Sequence, residues 1–401
     1  MDRIDHIFLQ LVALGLGNEV PFDPDLASRD PQAGLKGVDW QAVIDRAGSH
    51  GLDAVAWDGL RALYEKQPWL TEALDESLGE IKYDWLALTL QAEQDYDAYE
   101  RTLGELAAFY NEEGFPVMIL KGYGLSLDYP VPRHRPTGDI DIYLFGRWKE
   151  ADRALRQRKG IQADNSHHHH SVFRFGGRHV ENHYDLINIH SRPSNRRLEP
   201  ILKAWAEKDT REWELGRGPQ APAAGTSSTG VPGSTGADEV PAARILLPGP
   251  DFNALFLLRH SASHFASVNI RLRHVLDWLL FVRAHGAEVD WDALYAILRR
   301  ENMDRYANSL NAIGVRYLGF DPAIFPAVEK DDALVDRILE EILHPAFTDK
   351  EDGTLAHSLR VKTARWWANR WKYRLVFADS LPAAFLHSLF AKFLKPRSFV
   401  H

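Results

Sequence analysis

The sequence predicts an α+β protein in which a group of short strands lies between two helical regions. Three observations predict this class. Apolar residues recur every three or four positions before residue 114, short apolar or alternating runs follow between 115 and 190, and helical spacing returns after 245. The predicted organisation is an N-terminal helical region at 1–114, an α+β core at 115–205, a flexible insertion at 206–244 and a C-terminal helical domain at 245–401.

The N-terminal region carries start and stop signals of helices. Asp39 is a suitable N-cap for a helix that begins at Trp40, because its carboxylate can accept a hydrogen bond from a backbone N–H of the first turn. A longer helix is predicted from Ser77 to Tyr110, and Gly114 is its expected C′ residue. Its buried face is predicted from apolar residues spaced by three or four, namely Ile81, Trp85, Leu88, Ala92, Tyr96, Tyr99, Leu103, Leu106 and Phe109.

The core region alternates strand and helix signals. A strand that ends in the turn Lys121-Gly122-Tyr123-Gly124 opens it, and Gly176-Gly177 is typical of a tight hairpin turn. The predicted strands are 116–120, 139–144, 171–175 and 179–190, and the predicted helix is 148–159.

The segment from Gly216 to Ala243 consists mainly of Gly, Pro, Ser, Thr and Ala. Because it has almost no large apolar side chain, it cannot offset the entropy of ordering. A flexible loop or linker is therefore predicted there, inside the 206–244 insertion. Helical spacing then returns at 252–265, 272–284 and 291–299.

Composition excludes several classes of protein. The 401 residues include 47 Lys+Arg and 56 Asp+Glu, a formal net charge of −9, which excludes a protein that coats nucleic acid with a generally positive surface. The absence of cysteine excludes disulfides, a thiolate nucleophile and cysteine-ligated zinc. No transmembrane segment is predicted, because no uncharged apolar stretch approaches the ~18–20 residues of a membrane span. The acidic start does not resemble a signal peptide, so a cytoplasmic location is expected.

Two aspartates in Gly138-Asp139-Ile140-Asp141 are the strongest candidates for chemistry. Side chains two positions apart on a strand point to the same face, so Asp139 and Asp141 can converge on one cation. Mg²⁺ prefers such oxygen ligands, together with substrate phosphates. The glycines of the preceding turn, Gly122 and Gly124, would let backbone N–H groups approach a phosphate. The alternative is an exposed edge or turn, where an Asp-x-Asp pattern occurs without a function.

The same residues resemble a known family. Three segments carry the resemblance: Ile119-Leu120-Lys121-Gly122, Tyr129-Pro130 and Arg135-Pro136-Thr137-Gly138-Asp139-Ile140-Asp141. They resemble the polymerase-β-like nucleotidyltransferase superfamily, and within it the bacterial branch of uncharacterised nucleotidyltransferases. Similar features at 180–183 and 271–278 extend the resemblance to about residues 117–281. The turn departs from the common Gly-Ser or Gly-Gly of the superfamily, and Lys121 is the residue that could replace the missing serine.

The resemblance implies a small mixed-sheet nucleotidyltransferase core embedded in a mostly helical body. Asp139 and Asp141 would hold two Mg²⁺ or Mn²⁺ ions about 3.5–4 Å apart. Glu181 is the expected third carboxylate, either as a metal ligand or as general base. Asp185, four residues further along the same predicted strand, is the alternative to Glu181. His183 lies on the Glu181 face of that strand and could orient a carboxylate or a phosphate.

The implied reaction moves a nucleoside monophosphate from an NTP such as ATP to a hydroxyl acceptor and releases pyrophosphate. Lys121, Gly122, Gly124 and Arg135 would bind the phosphates and neutralise their charge. The acceptor stays open between a small molecule, a sugar, RNA and a protein side chain, because a fold does not settle a substrate.

Histidines are concentrated around the predicted third strand. His167-His168-His169-His170 is an uninterrupted run, and His179, His183 and His190 follow it. Imidazole is a common transition-metal ligand, so a metal site is one interpretation, but the run is expected to be a solvated loop without a role. His260 and His264 are expected in a helix interior, because no His-Glu-x-x-His pattern surrounds them.

The C-terminal region offers an alternative function. Residues 365–374 interleave basic and aromatic side chains, a texture that can stack bases and follow phosphates, although a packed helix with arginines at its rim is the expected structure. Apolar residues between Phe385 and Leu394 form a second stripe, which docks on the helical body or contacts a membrane surface. The alternative hypothesis is a non-catalytic protein of this fold that binds nucleic acid or a protein partner through these helices.

Overall fold

The computed structural model describes residues 1–23, 34–216, 240–267, 269–346 and 367–380. Their helices and mixed sheet confirm the predicted α+β class. The chain divides into two compact units. The helical unit comprises the described residues of 1–93, 125–136 and 250–380, and the sheet unit comprises those of 94–124 and 137–249.

The helices of the described residues follow the predicted spacing closely. In chain order they are α1 (Arg3–Gly15), α2 (Trp40–His50), α3 (Asp53–Lys66), α4 (Thr71–Leu78), α5 (Ile81–Glu112), α6 (Tyr123–Ser126), α7 (Trp148–Lys159), α8 (Pro193–Lys208), α9 (Pro250–Ser267), α10 (Leu272–His285), α11 (Trp291–Arg300), α12 (Asp304–Tyr317), α13 (Asp332–Leu343) and α14 (Arg370–Val376). Short 3₁₀ turns lie at Pro68–Leu70, Pro132–His134, Gly286–Glu288 and Pro322–Ile324.

The start signal at Asp39 and the stop signal at Gly114 are confirmed, whereas the long helix begins at Ile81 rather than at Ser77. The Asp39 side chain accepts a hydrogen bond from the Ala42 N–H at 3.0 Å and caps α2. Gly114 follows α5 with a left-handed φ of +76°, a conformation that a residue with a Cβ rarely adopts. Helix α7 has the bounds predicted for it.

The buried face of α5 differs from the predicted stripe at one position. Leu88 is 41% exposed, whereas its neighbour Thr89 is only 3% exposed. Thr89 is tolerated inside because its hydroxyl donates a hydrogen bond to the Trp85 backbone oxygen at 3.1 Å, one helical turn earlier. The buried face therefore runs from Trp85 through Thr89, and the prediction for Leu88 is wrong.

Helices α1 and α3 of the helical unit approach each other at two glycines. A Cβ built on Gly59 would overlap the Leu11 backbone oxygen, and one built on Gly15 would overlap the Val55 backbone oxygen. Only glycine lets two helix backbones pass this close, so these two residues set the distance between α1 and α3.

The sheet unit contains one six-stranded mixed sheet with the order β3-β4-β2-β1-β6-β5. Its strands are β1 (Met118–Ile119), β2 (Ile140–Tyr143), β3 (His170–Phe175), β4 (Arg178–His183), β5 (Thr210–Leu215) and β6 (Ala243–Pro248). Strands β2 and β4 pair in parallel, as do β1 and β6, whereas the other neighbours pair in antiparallel fashion. Gly176 and Gly177 form the predicted hairpin turn, both with positive φ.

Strand β4 is shorter than predicted. It ends at His183 rather than at His190, because the N–H groups of Tyr184 and Asp185 both turn to the His169 backbone oxygen, at 3.0 and 3.1 Å. The chain leaves the sheet at this point. Asp185 consequently does not lie on a regular strand with Glu181, and that part of the prediction is wrong.

The predicted insertion is bounded by strands. Residues 210–215 form β5, which pairs with β6 at 243–248, so these parts of the 206–244 segment are strand rather than loop. The rest of the predicted flexible segment, 217–239, lies outside the described residues.

Two further predictions concern the C-terminal region. Residues 365 and 366 of the basic–aromatic segment and the whole apolar stripe from Phe385 to Leu394 lie outside the described residues. Among the helices that the structure describes, none is long and apolar enough to cross a membrane.

Candidate active site

The parallel pairing of β2 with β4 gathers charged side chains on one face of the sheet. Asp141 lies opposite Glu181, and Tyr143 lies opposite His183. Glu181 and His183 share a face because they are two residues apart on a strand, as are Asp139 and Asp141 at the start of β2. The predicted acidic group therefore assembles from two strands that are 40 residues apart in the chain (181 − 141).

His183 joins two of the carboxylates. Its Nε2 lies 3.2 Å from Asp141 Oδ1 and 3.4 Å from Glu181 Oε2, and its Nδ1 lies 3.3 Å from the Asp185 backbone oxygen. Burial alone would lower the pKa of His183, but Asp141 and Glu181 outweigh it and raise the pKa to about 9. The buried imidazole is therefore positively charged at neutral pH.

Lys121 brings a second positive charge to Asp141. Its Nζ lies 3.0 Å from Asp141 Oδ1. Burial would raise the pKa of Asp141, yet Lys121 and His183 hold it below its ordinary value. For Glu181, burial is likewise outweighed by the hydrogen bond from His183, which lowers the pKa. Both carboxylates are thus ionised at neutral pH.

Asp139 is the acid of this group that lacks a direct counter-charge. Its side chain makes no hydrogen bond or ion pair within 1–23, 34–216, 240–267, 269–346 and 367–380. Burial, Glu181 and Asp141 all raise its pKa, and more distant positive groups such as Lys121 only partly offset this. The site therefore concentrates more negative charge than its own cations neutralise.

The glycine turn after β1 positions Lys121. Gly122 has a φ of +57°, and a Cβ on it would lie 2.5 Å from the Tyr99 hydroxyl, so glycine is required there for two independent reasons. The Gly124 N–H donates to the Lys121 backbone oxygen at 3.2 Å, inside the turn. Helix α6 is only four residues long. The turn thus explains Gly122 structurally, and a phosphate contact by Gly122 or Gly124 stays a prediction.

The histidine run is not a solvated loop, so that expectation is wrong. His168 and His170 are 5% and 7% exposed, and the ring of His170 lies 5.2 Å from that of His183. His170 Nδ1 lies 3.5 Å from Glu181 Oε2. Burial is the main cause that lowers the pKa of His169 well below its ordinary value and that of His170 to about 4. Both imidazoles are therefore neutral at neutral pH.

Two predicted site residues have other partners. Asp185 accepts a hydrogen bond from Lys203 Nζ at 2.7 Å and lies beyond the end of β4. Arg135 belongs to the helical unit, where Nε and Nη2 donate to the two carboxylate oxygens of Asp277 at 2.8 and 3.0 Å. Tyr129 donates to the same carboxylate at 2.9 Å.

A comparison with protein families identifies the segment that contains the acidic group. The family described as uncharacterised nucleotidyltransferase matches residues 36–215. We refer to this matched segment, residues 36–215, as the nucleotidyltransferase-family domain. The predicted recognition is confirmed for this segment, which begins before and ends earlier than the stretch of about 117–281 expected from the motifs. Neither a curated protein nor a solved structure matches the chain.

The match to this family has coarse functional consequences. It supports a transferase that uses an NTP, and nucleotidyltransferases generally require divalent metal ions. The nucleotidyltransferase-family domain contains two groups of side chains that could hold a metal ion, Asp141 with Glu181 and His183, and His169 with His170 and His183. The sequence analysis named Asp141, Glu181 and His183 as candidates, whereas it expected His169 and His170 to lie in a solvated loop.

One positioning residue of the nucleotidyltransferase-family domain escaped the sequence analysis. Asp95 on α5 accepts a hydrogen bond from the Thr137 hydroxyl and from Arg178 Nη2, the latter at 2.7 Å. These bonds hold the segment just before Asp139 and the start of β4. A single aspartate inside an amphipathic helix gives no sequence signal of this role.

The described part of the basic–aromatic segment, residues 367–374, packs inward at Trp371 and Lys372, whereas Trp367 is 62% exposed. Trp371 makes an edge contact with Phe265, and Arg337 stacks on it at 3.9 Å. Lys372 is 1% exposed and pairs with Glu341 at 2.8 Å. These contacts are those of a packed helix, as expected.

Proposed function

We propose that the nucleotidyltransferase-family domain transfers a nucleoside monophosphate from an NTP to a hydroxyl acceptor and releases pyrophosphate. The observation that carries this proposal is the parallel register of β2 and β4, which sets Glu181 opposite Asp141 within the family-matched segment. A pair of aspartates with a third carboxylate on a neighbouring strand can hold the metal ions that clamp the attacking and leaving oxygens in phosphoryl transfer.

The donor set fits a hard divalent cation such as Mg²⁺ or Mn²⁺. Asp139, Asp141 and Glu181 offer carboxylate oxygens, the ligands that these ions prefer. Mutual repulsion contributes to the raised pKa of Asp139, and a bound cation would relieve that repulsion. We assign these three residues as the metal ligands. A bound ion would supply positive charge to the triphosphate and acidity to the acceptor hydroxyl.

Besides its place among the metal ligands, Glu181 is the residue proposed to take the proton of the acceptor hydroxyl. Its carboxylate is ionised at neutral pH and is oriented by His183 Nε2 at 3.4 Å, so it is in the form that accepts a proton. His183 acts through the two carboxylates and is a positioning residue. Asp185 is not assigned this role, because its carboxylate is bound by Lys203.

Lys121 is proposed to neutralise the triphosphate. Its amine is already directed at the acidic group, 3.0 Å from Asp141 Oδ1, and it is partly exposed. Charge that develops on phosphate oxygens is stabilised best by such a preorganised cation. Arg135 enters the proposal only through its ion pair with Asp277, which fixes the segment before Thr137.

The first test is calorimetric binding of each of the four NTPs with and without Mg²⁺ or Mn²⁺. Wild type should bind at least one NTP in a metal-dependent manner. Asp139→Asn and the double variant Asp139→Asn/Asp141→Asn should not. Glu150→Gln, which removes an exposed carboxylate of α7, is the matched control and should bind like wild type. The preferred base would then direct a search for acceptors by pyrophosphate release.

Folding must be separated from function in this test. Asp141 balances Lys121 and His183, so its loss can disturb the sheet, whereas Asp139 has no such partner among the described residues. Asp139→Asn is therefore the decisive variant, with circular dichroism as the check on folding. Absence of NTP binding by wild type with either metal, or unchanged metal-dependent binding by a folded Asp139→Asn variant, would contradict the proposal.

A further inference from the structure

Three histidines next to the acidic group bring their ring nitrogens together. One nitrogen from each of His169, His170 and His183 lies within 4.8 Å of the other two. His170 and His183 are opposite each other in the antiparallel pairing of β3 with β4, and His169 directly precedes β3. Their rings are 4.2 to 5.5 Å apart, centre to centre. The group thus belongs to two adjacent strand ends.

Two of these histidines have buried nitrogens without a hydrogen-bond partner. The Nδ1 atoms of His169 and His170 are inaccessible to solvent, and neither has a hydrogen-bond partner in the part of the chain that the structure describes. His170 itself is only 7% exposed. Buried polar atoms in native proteins are nearly always satisfied, so two adjacent orphans point to a ligand that binds nitrogen.

The backbone around this group is held in place. The Tyr184 hydroxyl donates to the His167 backbone oxygen at 2.7 Å, and the Tyr184 and Asp185 N–H groups bond to the His169 oxygen. Tyr184 stacks on Trp148 with the rings 4.6 Å apart. The three imidazoles are therefore presented by an ordered backbone, and few side-chain freedoms are lost when a ligand binds.

We propose that His169, His170 and His183 bind one transition-metal ion of the Zn²⁺ class. Neutral imidazole is a strong ligand for Zn²⁺, Co²⁺ and Ni²⁺ and a poor one for Mg²⁺, which prefers oxygen. Three histidines leave at least one coordination position, and the Glu181 carboxylate borders it, 3.5 Å from His170 Nδ1 and 3.4 Å from His183 Nε2. The chain has no cysteine that could compete for the ion.

This site goes beyond the proposed nucleotidyl transfer, which needs only the carboxylates. Both nitrogens of His183 have partners in the structure and its imidazole is protonated, so an ion bound by His183 replaces one of these contacts and releases that proton to solvent. The ion would tie the start of β3 to the end of β4 and fix His183 beside Asp141 and Glu181. The two metal positions would then differ in chemistry, one of oxygen ligands and one of nitrogen ligands.

The test is Zn²⁺ binding by the full chain, which is produced without a polyhistidine tag. The affinity for Zn²⁺ is measured by competition with a chromogenic chelator. No NTP and no Mg²⁺ are present, so the result does not depend on the transferase proposal. Wild type should bind one Zn²⁺ tightly. His169→Gln, His170→Gln and His183→Gln should each weaken binding by about 100-fold or more, because even changes behind the ligands cost about 10–100-fold.

Two controls separate this site from its rivals. His167→Gln changes the same histidine run but not the proposed ligands, and it should leave affinity within about threefold, well below the effect of a ligand change. Asp139→Asn changes the acidic group only and should also leave Zn²⁺ binding intact. X-ray absorption of the Zn²⁺ complex should show imidazole ligands, and this measurement does not depend on any variant folding.

Several results would overturn the proposal. The first is that wild type does not bind Zn²⁺ tightly, and the second is an X-ray absorption spectrum without imidazole ligands. The third is an equal loss of Zn²⁺ affinity in His167→Gln and His169→Gln, with no loss in a folded His183→Gln variant. The last pattern would describe an adventitious ion on the histidine run. Loss of Zn²⁺ binding in Asp139→Asn would place the ion on the carboxylates instead.

Discussion

The helical unit and the sheet unit each contain a buried histidine that contacts two carboxylates. The two histidines differ in whether the surrounding positive charges balance the negative ones. In the helical unit, His134 Nδ1 lies 2.5 Å from Asp58 Oδ2 and His134 Nε2 lies 3.0 Å from Glu93 Oε1, so each nitrogen has its own acid. In the sheet unit, the single Nε2 of His183 faces both Asp141 and Glu181.

The surrounding charges extend this difference. Arg61 lies 3.8 Å from Asp58 and Arg133 lies 3.4 Å from Glu93, so the acids of the helical unit have further cations beside them. In the sheet unit Lys121 adds one cation, but Asp139 adds one more acid without a partner among the described residues. The first arrangement is a closed ion network that stabilises a fold. The second keeps excess negative charge, as a cation-binding site must.

The largest expected effect concerns the two glutamates. Glu181→Gln should lower the rate of nucleotidyl transfer by about 10²–10⁴-fold, the usual contribution of a general base. Glu93→Gln, a matched change of a glutamate beside a buried histidine, should leave the rate within about twofold of wild type, since that glutamate has no assigned role in the transfer step. Pyrophosphate release under saturating NTP measures both. Full activity in Glu181→Gln with loss in Asp185→Asn would transfer the role to Asp185.

The next effect is on stability of the helical unit. Asp58→Asn removes one carboxylate from a histidine whose side chain is only 5% exposed, and the imidazole is left without that counter-charge. We expect a loss of about 3 kcal/mol in the free energy of unfolding. Asp45→Asn, a change at an exposed position of α2, should lie within about 0.5 kcal/mol of wild type. Urea unfolding measures the free energy of unfolding of both variants. Equal values would show that the ion pair between Asp58 and His134 does not stabilise the fold.

The pH dependence of stability follows from the same network. Burial opposes protonation of His134, but the hydrogen bonds to Asp58 and Glu93 outweigh it and raise the pKa above 6.5. Protonated His134 therefore stabilises the fold fully below pH 6.5, and this contribution is lost as the pH rises through the raised folded-state pKa. Urea unfolding from about pH 6 to about pH 9 should show this loss in wild type and a smaller one in His134→Gln. The same dependence of the free energy of unfolding on pH in wild type and His134→Gln would contradict this role of His134.

Local signals made much of this fold predictable. Asp39 and Gly114 act through backbone positions a few residues away, so a cap and a helix end could be predicted from the sequence. The alternation around Asp139 and Asp141 predicted a shared face for the same reason. Helix α7 was predicted with its final bounds because helical spacing is a local signal.

Long-range partners limited the prediction of the site. Glu181 faces Asp141 only because β2 pairs with β4, a register that local spacing could not give. The family resemblance implied a third carboxylate on a later strand but not this pairing. The histidine run has no apolar periodicity, and its burial depends on Tyr184 and Asp185, which bond to it after the hairpin. Arg135 could not be assigned from its motif, because Asp277, its partner, is 142 residues away.

The smallest expected effect concerns Asp139, the acid of the sheet unit that has no partner among the described residues. The raised pKa of Asp139 means that its ionised form is disfavoured in the folded protein, first by burial and then by Glu181 and Asp141. Because Asp139 is exposed enough for solvent to screen this repulsion, Asp139→Asn should raise the free energy of unfolding by no more than about 0.5 kcal/mol in a chelator. Added Mg²⁺ should stabilise wild type but not this variant, since an ion raises the free energy of unfolding only when it binds the native state more tightly than the unfolded state. A clear loss of stability in Asp139→Asn would mean that Asp139 is part of a closed network like that of His134, and the contrast between the two units would fail.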